Sequence, residues 1–257
     1  MELKNIKSVV VRGTVSSKTV LGFLALAFLT YGIAAQASNL VTNGGFETTT
    51  NGPNFQFDNN TTATGWTSSG YNFIFAPGAA DTTGATGQFG NLQLWGPNNG
   101  SANGLPATSP AGGNYVAADG AFEVAPIQQT INGLNPGASY TVSFWWGGAQ
   151  QSGFTGATTE QWQVSLGSQT QSTVVLDNAN HGFTGWKQQS FTYTATSASE
   201  VLSFLAVGTP AGVPPFSVLD GVTLNAATPE PGTLSLVFGG LLGGLGFVRS
   251  RKWFKTN

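Results

Sequence analysis

Residues 138–146 read ASYTVSFWW, and residues 161–167 read QWQVSLG. In the first stretch every second residue from Tyr140 to Trp146 is apolar or aromatic. The same alternation recurs in QSFTYTAT at residues 189–196. A period of two is typical of a β-strand that packs one face against a core. Because residues 39–228 show no sustained period of 3.6, the sequence predicts an all-β body.

Further strands are predicted where short apolar runs lie between clusters of turn-forming residues: 39–46, 70–76, 90–95, 114–118, 122–131, 171–176, 200–207 and 216–224. Leu134-Asn135-Pro136-Gly137 predicts a type II turn, since Pro sets φ at the second turn position and Gly accepts a positive φ at the third. Residues 48–69 and 77–112 are predicted to be long loops. So many short strands within one domain, residues 38–228, predict a two-sheet β-sandwich of the jelly-roll kind.

Charge is distributed unevenly along the 257 residues. The segments 1–38 and 229–257 each hold four bases against one acid, whereas residues 39–228 hold nine acids against Lys187 alone. A body with one base cannot neutralise a phosphate backbone, so we exclude nucleic acid as its partner. Hydrophobic residues are 40% of the chain, enough for a core, and the absence of cysteine excludes disulfides and thiolate metal sites.

The N-terminus has the features of a signal peptide. Basic residues precede an apolar run from Val20 to Ala35, and Ala35-Gln36-Ala37 has the small-x-small form that signal peptidase cleaves. Cleavage after Ala37 would make residues 1–37 a signal peptide and export the chain by the general secretion route. The alternative is an uncleaved anchor, which the short apolar run and the alanine pair disfavour.

The C-terminus carries a second targeting pattern. Pro229-Glu230-Pro231 is followed by an apolar run at residues 233–248 and a basic tail at residues 249–257. Sixteen helical residues span about 24 Å, and flanking residues with snorkelling basic side chains extend this toward the ~30 Å hydrocarbon core. We therefore predict a short transmembrane helix whose basic tail stays cytoplasmic, which places the body outside.

This arrangement resembles the PEP-CTERM sorting signal: a Pro-Glu-Pro motif at residues 229–231, a short Gly-rich membrane stretch and a terminal basic cluster. The resemblance implies processing by an exosortase in a Gram-negative bacterium. It also implies transient residence in the inner membrane, followed by release to the cell surface or the extracellular matrix. Members of that family are associated with exopolysaccharide and biofilm, so an exopolysaccharide is an expected partner.

The body has a second resemblance. Asn39–Glu47 (NLVTNGGFE), Gly65-Trp66 and Leu219–Leu224 (LDGVTL) resemble the edges of galactose-binding-like jelly rolls, which include many carbohydrate-binding modules. The resemblance implies that the first and last strands lie near each other and that one acid from each ligates a structural Ca²⁺. Those acids would be Glu47 and Asp220, with Asn43 or backbone carbonyls adding oxygens. The alternative is that both are surface or turn residues.

Tryptophan is the candidate sugar-binding residue. Saccharide rings pack their C–H faces on aromatic rings, and Asn and Gln side chains complete the hydroxyl hydrogen bonds. The candidate glycan contacts are Trp66, Trp95, Trp145 and Trp146. Trp145 and Trp146 are adjacent on a predicted strand and therefore point to opposite faces, so at most one belongs to the core there. The alternative is that most of these rings are core residues.

Catalysis has little support in the sequence. His181 is the only histidine and no G-x-S-x-G motif is present, which disfavours a serine-hydrolase triad. Glu123 or Glu160 with Asp119 could supply two carboxylates for glycoside hydrolysis, but chain spacing does not identify a pair. We therefore expect no catalytic residue and a non-enzymatic exported protein for which carbohydrate binding is the hypothesis. The alternatives are a secreted carbohydrate-active enzyme and a purely structural matrix protein.

Overall fold

The computed structural model describes residues 38–227. The predicted signal peptide with Ala35 and Ala37, the motif Pro229-Glu230-Pro231 and the predicted helix at 233–248 lie outside these residues. Within 38–227 no helix is long and apolar enough to cross a membrane.

The described chain forms fourteen β-strands: β1 (Phe55–Gln56), β2 (Thr67–Ser68), β3 (Asn72–Phe75), β4 (Ala85–Gly87), β5 (Gly90–Leu92), β6 (Tyr115–Asp119), β7 (Ile127–Asn132), β8 (Ser139–Gln150), β9 (Thr158–Leu166), β10 (Gln169–Ser172), β11 (Leu176–Asn178), β12 (Lys187–Thr194), β13 (Ser199–Thr209) and β14 (Pro215–Ala226). They form two sheets. One has eight strands in the order β12-β8-β14-β6-β3-β1-β4-β5. The other has the order β10-β9-β13-β7-β2, with β11 also paired to β9. The predicted all-β, two-sheet sandwich is therefore confirmed.

The inner core fills the space between the two sheets. In β8 the alternating residues Tyr140, Val142, Phe144 and Trp146 are all buried, as their period of two predicts. The Phe144 ring meets the ring of Phe204 on the opposite sheet edge-on, with centroids 5.1 Å apart. Edge-to-face contacts of this kind are a favourable aromatic geometry and help fix the spacing of the two sheets.

An outer core covers part of the other face of the eight-stranded sheet. Every residue of β3 and β6 is buried, so these two strands are covered on both sides. Residues 79–105 supply the cover, burying Leu92, Leu94 and Leu105 against the sheet. The outer core consists of Tyr71, Phe73, Phe75, Ala79, Ala80, Ala85, Leu92, Leu94, Leu105, Tyr115, Ala117, Ala149, Phe216 and Val218. The predicted loop 77–112 is therefore a packed layer that contains β4 and β5.

The first predicted strand, residues 39–46, is wrong. This segment runs beside β14, and the Leu40 N–H donates to Leu224 O at 2.8 Å, but it forms no strand. Asn43 and Phe46 have φ values of 52° and 57°, left-handed conformations that a strand cannot contain. The implied proximity of the first segment to the last strand is nevertheless present.

Other boundaries also differ from the predictions. The predicted strand 122–131 begins only at Ile127, and the predicted strand 171–176 is divided between β10 and β11. The predicted loop 48–69 contains the two-residue strands β1 and β2. The turn predicted within Leu134–Gly137 is present with Pro136 and Gly137 as its central residues: Gly137 has a φ of 85°, and the Ala138 N–H donates to Asn135 O at 3.0 Å, so the turn spans Asn135–Ala138.

Candidate functional site

Two of the four candidate tryptophans belong to the inner core. Trp66 is buried, lies against Phe46 with ring centroids 5.2 Å apart and donates its indole N–H to Asn43 O at 3.0 Å. Trp146 is buried on the inward face of β8. Neither ring has a free face for a sugar, so the prediction for these two residues is wrong. The period of two placed Trp145 and Trp146 on opposite faces correctly, which leaves Trp145 outside.

Trp145 lies on an uncovered part of the outer face of the eight-stranded sheet. Cross-strand pairing places Gln188 of β12 on one side of it and Asp220 of β14 on the other. Two hydroxyl pairs continue along the same face, with oxygens 2.7 Å apart in Ser143–Ser190 and 3.3 Å apart in Thr141–Thr192. We call this surface the Trp145 strip; it consists of Thr141, Ser143, Trp145, Gln188, Ser190, Thr192, Thr223 and Asn225. All eight are partly or fully exposed, and none carries a charge.

A β-bulge forms one wall of the strip. The pairing of β14 with β8 shifts between Asp220 and Thr223, and Gly221 occupies the bulge with a φ of 61°. A Cβ on Gly221 would lie 2.8 Å from Ala111 Cβ and 3.2 Å from Trp145 Cδ1. Glycine therefore lets the loop that carries Ala111 approach the Trp145 ring, so the ring has a fixed neighbour on that side.

The carboxylates of Glu47 and Asp220 converge beside the strip, as the second resemblance implied. Both come within 3.6 Å of the position that a Cβ on Gly45 would occupy. Asp220 is fully buried and accepts hydrogen bonds from the Ser109 hydroxyl and, at 2.6 Å, from the Gly221 N–H. Burial, together with the negative charge of Glu47, raises the pKa of Asp220 to about 7 against the opposing effect of these hydrogen bonds.

The oxygens around this pair are those that calcium prefers. The Glu47 carboxylate takes the space above Gly113, where a Cβ would lie 1.6 Å from Oε1, and it accepts the Asn114 N–H at 2.9 Å. Two carboxylates and the Ser109 hydroxyl supply hard donors, and no cationic side chain of the described residues neutralises them. Among residues 38–227 no group of three or more His, Cys, Asp and Glu side chains converges, so a bound ion would need carbonyl or water ligands as well.

Trp95 and His181 form a separate stack in the loops. Their ring centroids are 4.0 Å apart, and the Trp95 indole donates to Phe154 O at 2.9 Å. Asn103 Nδ2 donates to the backbone carbonyls of both Trp95 and His181. The stack adjoins a shallow cavity of about 510 Å³ lined in part by Asn103, Asn180 and His181. Because the imidazole covers one face of Trp95, this ring is less available to a sugar than Trp145.

The acids considered for catalysis do not form an accessible pair. Glu160 is fully buried in the inner face of β9, where burial above all raises its pKa to about 8. Asp119 is buried at the end of β6, and its Oδ1 accepts the backbone N–H groups of Ala121 and Phe122. Burial raises the Asp119 pKa to about 6. Both carboxylates are thus held inside the fold, and of the three acids only Glu123 is exposed.

Sequence reasoning missed two exposed phenylalanines, Phe89 and Phe122. They lie in the β4–β5 turn and in the connection after β6, where no period marks a residue as inward or outward. In the sequence, only the turn-forming stretch Gly87–Gly90 indicated that Phe89 lies at the tip of a turn.

No sequence model of a known family matches the chain, and no curated protein matches it. Solved structures similar to the chain include the module TmCBM61 in complex with β-1,4-galactotriose, at 18% identity and a TM-score of 0.40, covering 74% of this chain and all of that one. The CBM22-1 xylan-binding domain of Paenibacillus barcinonensis Xyn10C matches at 11% identity and a TM-score of 0.38, and the match covers 76% of this chain and 98% of that one. A CBM4 structure matches at 18% identity and a TM-score of 0.32, and the match covers 73% of this chain and 99% of that one. Likeness at this level assigns no family to the chain.

Proposed function

We propose that this protein is a non-enzymatic, exported carbohydrate-binding protein and that the Trp145 strip is its binding surface. The observation that carries the proposal is the uncharged strip itself, in which one partly exposed indole lies among hydroxyl and amide side chains on the open face of the sheet. An indole face packs against the C–H groups of a sugar ring, and the side chains around it supply hydrogen-bond donors and acceptors for hydroxyl groups.

The negative charge of the body limits the class of glycan that it can bind. The nine acids of residues 39–228 face only one base, Lys187, so a polyanionic polysaccharide would meet repulsion along most of the body. The strip contains no charged side chain to fix a uronate or sulfate group. The proposed ligand of the Trp145 strip is therefore a neutral polysaccharide.

Binding of the full-length chain, purified in mild detergent, tests this proposal directly. Affinity electrophoresis through gels containing neutral polysaccharides should retard the wild type. The Trp145→Ala variant should migrate as it does in a gel without polysaccharide, because burying one large apolar side chain contributes about 1.5–3 kcal/mol, or roughly 10- to 150-fold in affinity. Trp95→Ala is the matched control, since its ring is already stacked on His181.

The alternatives give different results in the same experiments. A carbohydrate-active enzyme would release reducing ends during incubation with matrix glycan, and a purely structural matrix protein would show no retardation with any soluble glycan. Retardation that is equal in wild type and Trp145→Ala would reject the strip as the binding surface.

Export and sorting belong to the same proposal. The signal-peptide pattern ending at Ala37 and the Pro229-Glu230-Pro231 signal support secretion, cleavage by signal peptidase and processing by an exosortase, with exopolysaccharide as the environment of the mature protein. Expression of the full chain in a host with and without its exosortase tests this. The chain should be released or surface-exposed in the first strain and remain in the inner membrane in the second.

We further propose that Glu47 and Asp220 hold a structural Ca²⁺. The support is the convergence of their carboxylates, the Ser109 hydroxyl beside them and the absence of a neighbouring cation among the described residues. Thermal unfolding should move to higher temperature on adding Ca²⁺ and return with chelator, because an ion bound only by the folded state stabilises it. Glu47→Gln should remove this shift, whereas Asp177→Asn, a change at an exposed acid, should preserve it.

A further inference from the structure

Three aromatic rings form a cluster at the edge of the eight-stranded sheet that lies opposite the Trp145 strip. Phe89, in the β4–β5 turn, is 65% exposed, and Phe122 is 46% exposed. Their ring centroids are 5.7 Å apart, and each lies within 5.8 Å of the Tyr71 ring. We call Tyr71, Phe89 and Phe122 the aromatic platform. Strands β4 and β5 end the sheet on this side and β12 ends it on the other, so the platform and the strip are separate.

The platform is built on the outer core. The Tyr71 ring packs edge-on against Phe73, with centroids 4.7 Å apart, and lies 6.4 Å from Phe216. Phe73 and Phe216 are fully buried. The lowest ring of the platform is therefore part of a packed layer, and the two exposed rings rest on a fixed support.

Glu123 links the segments that carry the three rings. Its backbone has a φ of 44°, a left-handed conformation that is uncommon for a residue with a side chain. Its carbonyl accepts the Tyr71 N–H at 3.0 Å, and its carboxylate accepts the Gln88 side-chain amide next to Phe89. The Phe122 N–H in turn donates to Asp119 Oδ1 at 3.1 Å. The exposed rings are thus positioned by specific contacts and are not free loop tips.

The surroundings of the platform are negative. Asp119 and Glu123 are both close enough to the Tyr71 hydroxyl to raise its pKa by their charge, in addition to the larger effect of burial. Asp119 is 1% exposed, and its Oδ2 has no hydrogen-bond partner. Among the described residues the only Lys or Arg is Lys187, at the start of β12 on the opposite edge. Ring faces are themselves electron-rich, so rings beside carboxylates favour a cation above them.

We propose that the aromatic platform binds a saccharide unit with a free, protonated amine, that is, a 2-amino sugar of a partly or fully deacetylated glycan. The sugar's C–H face packs on Phe89 and Phe122, and its ammonium group meets the ring faces and the Glu123 carboxylate. An N-acetylated sugar keeps the ring contact and loses the charge interaction. The platform thus selects a cationic glycan, whereas the Trp145 strip takes a neutral one.

Calorimetric titration of the full-length chain with two probes, a glucosamine hexamer and an N-acetylglucosamine hexamer, tests the proposal at a pH where the amines are protonated. The wild type should bind the glucosamine hexamer at least about tenfold more tightly, with an affinity that falls as salt is added. Phe89→Ala and Phe89→Leu should both weaken this binding about tenfold, and Glu123→Gln should reduce the preference for the free amine several-fold. The leucine variant keeps the apolar volume and removes the ring.

Two control variants show whether the binding belongs to the platform. Val174→Ala changes an apolar side chain that is as exposed as Phe89 but lies next to the six-stranded sheet, and it should leave both titrations unchanged. Trp145→Ala should retain the preference for the amine, so the platform can be supported even if the strip binds nothing. Equal affinity of Trp145→Ala for the two hexamers, or unchanged binding of the glucosamine hexamer in both Phe89 variants, would each overturn the proposal, because in Trp145→Ala the strip no longer contributes binding of the neutral hexamer.

Discussion

The two halves of the outer face of the eight-stranded sheet differ in cover and in sequence. Around β3 and β6 the face is buried beneath residues 79–105, and both strands are apolar or buried at every position. Around β12 and residues 139–145 of β8 the face is open, and the strands alternate between core residues and polar or partly exposed ones. Strands covered on both sides require continuous apolar sequence, and strands with one wet face alternate. The same sheet thus has a half that stabilises and a half that is available for binding.

The largest expected effect of a substitution is in the covered half. Phe73→Ala removes a fully buried ring that contacts Tyr71, Phe75 and Phe216, so it should lower the free energy of unfolding by about 3–5 kcal/mol. Urea unfolding followed by tryptophan fluorescence measures this. A loss below about 1 kcal/mol would mean that the outer core is not a packed layer.

The cover itself should contribute less per residue than the strands beneath it. Leu105→Ala, in the covering segment, should cost about 2 kcal/mol, because a loop-borne neighbour can partly collapse into the space. Hydrogen exchange of this variant should speed up in residues 79–105 while β8 and β9 stay protected. Uniform acceleration across both sheets would instead show that the cover and the sandwich unfold as one unit.

Asp220 lies where the covered half meets the open half, and its titration tests how completely its carboxylate is buried there. Its pKa in the folded chain, about 7, lies above the unfolded value of 3.8. The folded state therefore favours the protonated form, and this contribution is full below about pH 4 and is lost as pH rises through 7. Without Ca²⁺, stability should fall by at least about 1 kcal/mol over this range.

The Asp220→Asn variant supplies the control for that titration. It keeps a side chain of the same shape and cannot ionise, so its stability should vary less with pH over the same range. An identical pH profile for wild type and variant, measured by chemical unfolding in chelator, would contradict the burial of this carboxylate as the cause.

The smallest effect on stability should come from the open half. Ser190→Ala removes one member of the exposed Ser143–Ser190 hydroxyl pair, and it should change the free energy of unfolding by less than about 0.5 kcal/mol. The same variant should weaken retardation by neutral polysaccharide if the strip binds glycan. A large loss of stability would show that the hydroxyl pair is structural.

Sequence reasoning was most successful where a period of two was sustained over many residues. The alternating strands β8, β9 and β12, the two-sheet architecture and the turn at Asn135–Ala138 were predictable because each rests on local chemistry. The opening segment was not, since two left-handed residues, Asn43 and Phe46, interrupt an apolar run that otherwise reads as a strand. The packed layer at 79–105 was missed because its leucines are isolated among glycines and asparagines.

Which of the site residues could be predicted also depended on whether they lie in a stretch with a sustained period of two. Alternation correctly placed Trp145 and Trp146 on opposite faces, but it could not assign Trp66, whose burial depends on contacts with Phe46 and Phe204 far away in the chain. Glu47 and Asp220 were paired only through a resemblance. Phe89 and Phe122 lie outside any periodic stretch, and only the fold brings them next to Tyr71.

The division between β10 and β11 affects how the edge of the six-stranded sheet can pair with another copy of the chain. Thr173 lies at the break, and its hydroxyl accepts the backbone N–H of Trp162 at 3.0 Å, so a side chain replaces part of the strand ladder. An unbroken edge strand offers its free backbone groups to another molecule, and an interrupted one does not. The break therefore disfavours extension of the six-stranded sheet from one copy of the chain into the next along this edge.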